Sequence, residues 1–199
     1  MYHMTPVTVS DINLSYVDQD IDNILSGNSW FFEKVAFLRG IFNYRDEIHL
    51  QGYNHQCDMA RSLQLTLPNW VVGVGTQDTI HFIKQESGTD EGRLFVGKLI
   101  VHEMVHCILH RLEISLPCWL NEGLAVYISE QSISSCNDLT NASTWLNELN
   151  YNSDGFYIKA AALTRLLVNK YGLAYIIERL GKEGNSSFIT EHDVWGIIR

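Results

Sequence analysis

The reading of this chain turns on VHEMVHCILH, residues 101–110, in which His102, Glu103 and His106 form an HExxH inside an otherwise apolar run. An α-helix advances about 100° per residue, so residues four apart stack one turn above each other on one face. That spacing predicts two imidazoles, His102 and His106, gripping one metal ion with Glu103 beside them. Phe95, Val96, Leu99, Ile100, Val101, Met104, Val105 and Ile108 leave the segment from Leu94 to Leu109 apolar nearly all round, the pattern of a helix crossing a core. Unpaired buried charge is costly, so the carboxylate of Glu103 is expected to face a cleft or a water at the metal.

A catalytic zinc needs a third protein ligand and an open fourth position. LPCWLNEGLAVYISE, residues 116–130, offers Glu122. Pro117 suits the first turn of a helix, and Trp119, Leu120, Leu124, Val126, Tyr127 and Ile128 read as its apolar positions. His110 lies near the His106 face but about 12 Å of helical rise beyond His102, too far for one ion with bonds of about 2 Å to take both. It reads as a helix-end histidine.

HEMVH (102–106) followed by LPCWLNEGLAVYIS (116–129) resembles the gluzincin metallopeptidases, and more narrowly the small peptidase-MA-like domains, whose HExxH is followed by a WLNEGLA-type segment supplying a glutamate ligand. The resemblance covers about residues 46–181. DEIHLQGY (46–53), CDMARSLQ (57–64) and WVVGVGTQDTIHFI (70–83) fall in the family's order of strand, short helix and β-hairpin, and YIKAAALTRLLVNKYG (157–172) resembles its tyrosine-led helix.

What the resemblance implies is an α+β fold, a small N-terminal β-hairpin or sheet packed on the active-site helix and followed by a mostly helical C-terminal part. It implies a zinc-dependent metallopeptidase with one Zn2+ per chain held by His102, His106 and Glu122. Zinc would polarise the scissile carbonyl and acidify a water, Glu103 would be the general base, and a peptide or protein would be the substrate. Tyr157 is by resemblance a donor to the developing oxyanion and by position alone a half-buried tyrosine with a wet hydroxyl; both readings stand. The alternative function is a latent or non-cleaving zinc-binding domain of the same fold that holds a partner peptide. The intact Glu103 argues against it, because a binder has no chemical need of a base. Family members often carry an acidic residue one turn after the metal-binding glutamate; here that position is Val126, leaving Asn121, Ser129 or a backbone carbonyl to orient a ligand.

At 199 residues and 46% hydrophobic the chain is long enough for one sizeable core, and it is read as a single domain, 1–199. Within it, 1–45 is a helical layer, 46–130 the core with the metal site, and 131–199 the C-terminal helices. A net charge of −9 argues against a nucleic-acid partner, which wants a basic face. Cys57, Cys107, Cys118 and Cys136 show no CxxC pairing, so reduced thiols are expected, with Cys107 and Cys118 as small core residues. MYHMTPVTVS has neither the basic start nor the apolar core of a signal peptide and no membrane-spanning run follows, which makes the cytoplasm the default compartment. Relatives of this domain type also occur outside the cell.

Along the chain, residues 18–44 read as two helices interrupted at Gly27-Asn28-Ser29, and 47–53 alternates as a strand. Residues 70–74 and 79–83 flank GTQD as a hairpin; in the family that the chain resembles the hairpin supplies the edge strand, which implies 79–83 as the exposed edge on which an extended peptide would pair. Residues 85–93 and 131–143 read as polar loops, and further helices are expected at about 142–149, 157–171, 174–180 and 192–198. His192 belongs to an N-terminal cap with Thr190 and Asp193. His3, His49, His55 and His81 read as ordinary surface or strand residues.

Overall fold

Buried and half-buried residues alternate along Ile48–Tyr53, the period-two pattern of a strand with one face on a core. In the computed structural model, which describes residues 5–9, 12–16, 19–84, 88–131, 149–187 and 189, this strand, β3, is the middle of a five-stranded sheet. The expected helices at 142–149 and 192–198, the loop after residue 131, Cys136, His3, and the cap of Thr190, His192 and Asp193 lie outside the described residues, apart from Leu149. The protein is α+β, with seven helices among the described residues, and it divides into two compact units, Met1–Arg111 and Leu112–Arg199.

In the first unit, β1 (Thr5–Val9) and β2 (Ile12–Tyr16) pair antiparallel, β2 and β3 pair parallel, and β3 pairs parallel with β5 (Thr79–Ile83). The short strand β4 (Gly73–Gly75) runs antiparallel on the outside of β5, giving the order β1-β2-β3-β5-β4. Parallel neighbours need crossovers. Helices α1 (Gln19–Leu25) and α2 (Ser29–Ile41) connect β2 to β3, and α3 (Gln56–Leu63) follows β3. The register puts Leu14, Ile48, Leu50, Ile80 and Phe82 on one buried face. His49 and His81 lie on the other, where His49 meets the Ser15 hydroxyl and His81 Nδ1 lies 2.9 Å from the Tyr53 hydroxyl. They are half-buried strand histidines, as expected, and burial pulls the pKa of His81 down.

Two expectations are corrected here. Thr79–Ile83 is an interior strand and β4 is the edge, because residues 79–83 are flanked on both sides, by β3 and by β4. Residues 1–45 are more than a helical layer, since β1 and β2 precede the two helices. INLSY is a five-residue alternation whose parallel partner, β3, lies more than thirty residues on, so no local turn announces it.

Helix α4 (Asp90–Arg111) packs on β4, β5, α1 and α2. Its residues from Val96 to Leu109 are buried almost without a break, as a core-crossing helix requires, while Leu94 and Phe95 near its start are exposed. Asn28 sets the entry to this arrangement. Gly27, at φ +79°, breaks α1 from α2; the Asn28 side chain then accepts from the Phe31 amide at 3.1 Å, capping α2, and donates to the Arg93 carbonyl of α4 at 3.2 Å.

In the second unit, α5 (Cys118–Ile128) packs on α6 (Phe156–Tyr171), and Gly172, at φ +81°, turns the chain into α7 (Leu173–Glu183). The closeness of α5 to α6 depends on Gly123. A Cβ built there would stand 2.0 Å from Thr164 Oγ1 and 2.6 Å from the Ala160 carbonyl oxygen, and the latter is backbone that cannot swing aside. Gly123→Ala is therefore expected to destabilise by about 1–3 kcal/mol, the scale of forced overpacking. Gly40→Ala on α2, where nothing lies within 4 Å, is expected to be neutral or to stabilise by up to about 1 kcal/mol. Urea unfolding of the two variants checks both.

Candidate metal centre

Four residues apart on α4, the two motif histidines do share a face. Their Nε2 atoms stand 3.2 Å from each other and their rings meet edge-on, with centroids 4.9 Å apart. Two donors at about 2.0–2.1 Å from a tetrahedrally coordinated zinc stand about 3.3 Å apart, so the pair fits such an ion. His102 is buried and His106 half-buried. His110, in the last turn, is exposed and takes no part.

Glu103 is buried beside them and is anchored from the sheet. The Gly75 amide donates to Glu103 Oε2 at 2.8 Å. That amide is available because of the ladder's alternation: Ile83 N–H bonds the Val72 carbonyl and Thr76 N–H the Thr79 carbonyl, so the backbone groups of Gly73 and Gly75, one residue out of phase, face away from β5. Both glycines sit where the helix comes close. A Cβ at Gly73 would stand 2.8 Å from Leu99 Cδ1 and 3.0 Å from Glu103 Oε1, and one at Gly75 3.0 Å from both Cys107 Sγ and the Glu103 carbonyl oxygen. Two glycines at alternate positions of a strand signal close approach of another backbone, a signal present in GVG that the motif reading passed over.

Cys107, on the turn after the motif, donates its thiol to the Thr76 carbonyl at 3.0 Å. Burial, with the charges of Glu103 and Asp78, pushes its pKa up to about 12, so it remains a neutral thiol at neutral pH and ties α4 to the end of β4. It is a free cysteine, as are exposed Cys57 and half-buried Cys118.

The remaining site candidates belong to the second unit. Glu122 sits on the second turn of α5 and is only 6% exposed; a carboxylate so buried needs a partner, and Tyr151 Oη donates to its Oε1 at 2.8 Å. Burial, then this bond and the charge of Glu122, push the Tyr151 pKa upward, so the hydroxyl stays a donor. Glu113 and Glu130, the other glutamates near α5, are exposed at left-handed backbone positions. Val126, where the family often has an acid, is buried and apolar, and the hydroxyl of Ser129, a candidate for orienting a ligand, donates to the Val126 carbonyl of its own helix. Tyr157 is the second residue of α6, half-buried, its ring edge-on to Phe156. Tyr151 was missed by sequence reasoning: YNSDG, residues 151–155, carries no signal beyond that of a turn.

The chain matches no family model, no curated protein and no solved structure.

If the glycines of β4 are there to admit α4, Gly75→Ala is expected to cost about 1–3 kcal/mol. Combined with Cys107→Ala, which removes one of the two atoms in the way, the loss should be smaller than the sum of the single losses. A double-mutant cycle by denaturant unfolding measures it.

Proposed function

We propose that this protein is a zinc-dependent metallopeptidase of the gluzincin, peptidase-MA-like type, hydrolysing peptide bonds with His102, His106 and Glu122 as metal ligands and Glu103 as general base. The observation that carries the reading is the pair of imidazole nitrogens 3.2 Å apart with a buried carboxylate fixed beside them on an edge-strand amide. The three ligand residues offer two imidazole nitrogens and a carboxylate oxygen, a donor set that suits a catalytic zinc. When bound, zinc supplies a Lewis acid that polarises the scissile carbonyl and acidifies water.

The proton work falls to Glu103. With Oε2 held by Gly75, the carboxylate keeps a set orientation in which Oε1 takes a proton from the attacking water and passes it to the leaving amine. Tyr157 is the donor assigned to the developing oxyanion. An extended peptide docks along β4, where the Gly73 backbone faces away from β5 and pairs with main chain whatever the substrate's side chains.

Metal content tests the ligand set. The protein is expected to hold one zinc per chain by elemental analysis, and His102→Ala, His106→Ala and Glu122→Ala to lose it or bind it far more weakly; full occupancy in Glu122→Ala would remove that residue from the set. Peptide cleavage tests the chemistry. Glu103→Gln keeps volume and helix but not the base, so zinc should stay while cleavage falls at least about 10²-fold. In the same assay Tyr157→Phe should lower kcat about 10–10³-fold with KM little changed. Zinc-loaded wild-type protein that cuts nothing in a broad peptide library would favour a non-cleaving peptide-binding domain instead.

A further inference from the structure

We propose that Tyr151 is a positioning residue for Glu122, its hydroxyl holding one carboxylate oxygen and so setting the orientation in which the carboxylate would meet the metal. The inference rests on the zinc reading above and extends it by naming what holds the third ligand. Tyr151 Oη donates to Oε1 at 2.8 Å, and a carboxylate held at one oxygen has its plane and direction set. Outer hydrogen bonds of this kind orient ligating carboxylates and tune metal affinity.

The bond is made by a segment fastened for the purpose. Tyr151 lies between α5 and α6, and both ends of its turn are tied down. At one end the thiol of Cys118, the first residue of α5, donates to the Leu149 carbonyl at 3.1 Å. At the other the Phe156 amide donates to the Ser153 carbonyl at 3.1 Å. Between them the Asn150 amide donates to Ser153 Oγ at 3.0 Å and the Asn152 amide to Asn150 Oδ1 at 3.0 Å. The ring leans on Phe156, centroids 4.9 Å apart. Yet Tyr151 as a residue is 55% exposed while the carboxylate it reaches belongs to one of the most buried acidic residues among those described. A ring so open adds little to a core; what the turn achieves is to aim one hydroxyl inward at Glu122.

Tyr151→Phe keeps the ring and removes the hydroxyl, so zinc affinity in competition with a chelating dye is the readout. The zinc Kd is expected to rise about 10–100-fold, the scale for losing an outer-shell partner, with helix content by circular dichroism unchanged. Tyr175→Phe, at another exposed tyrosine, should leave the Kd as it was. A Tyr151→Phe protein that binds zinc as tightly as the wild type overturns the inference and leaves the metal reading standing. So does a lowered unfolding midpoint of the metal-free variant with an unchanged Kd, which marks a bond of structural value only. A wild type that takes up no zinc overturns the metal reading, and the inference with it.

Discussion

A carboxylate on a helix that is buried nearly all round must be given a partner, and much of the first unit is arranged around that need. Glu103 sits in the most buried part of α4, where an unpaired charge would cost several kcal/mol. The sheet supplies the partner through the Gly75 amide. For that amide to reach the carboxylate, the edge strand must lie against the helix with no Cβ between them, hence glycine at 73 and 75. It must also be an edge, since in an interior strand the same amide would belong to a neighbour's carbonyl. The edge position of β4 and the bareness of GVG are thus what let the Gly75 amide reach this buried acid.

The second unit meets a similar need by other means. Glu122 and Gly123 are adjacent on α5 and divide two tasks: Gly123 lets α6 close to backbone distance, and Glu122 presents a carboxylate that a loop tyrosine engages. Here the partner is a side-chain hydroxyl rather than a main-chain amide, which leaves the group tunable by a single substitution. Val126 one turn on offers nothing polar, and the tyrosine that engages the carboxylate stands 29 positions away in sequence.

What was legible in the sequence was what is local. The HExxH face is fixed by helical periodicity alone, the break at Gly27-Asn28 by turn chemistry, and β3 by its alternation; all three stand where the residues put them. What was not legible depends on pairing across distance. That β5 is interior and β4 the edge depends on β3 choosing β5, which no hairpin signal announces, and β2 is likewise recruited by a strand over thirty residues away. Tyr151 was invisible for the same reason: YNSDG advertises a turn, but only the folded chain shows which of its side chains points at an acid. The glycines of β4 were visible yet carried no meaning until the helix they admit was in place.

The same edge strand bears on how this protein behaves in a crowd. An exposed sheet edge is a template on which a second chain can add, and proteins blunt it by keeping it short or by occupying it. β4 does both, being three residues long with one of its outward amides already held by Glu103. A visiting strand finds too little ladder for lasting association. The bond that holds the Glu103 carboxylate is therefore also a guard against self-association along this edge.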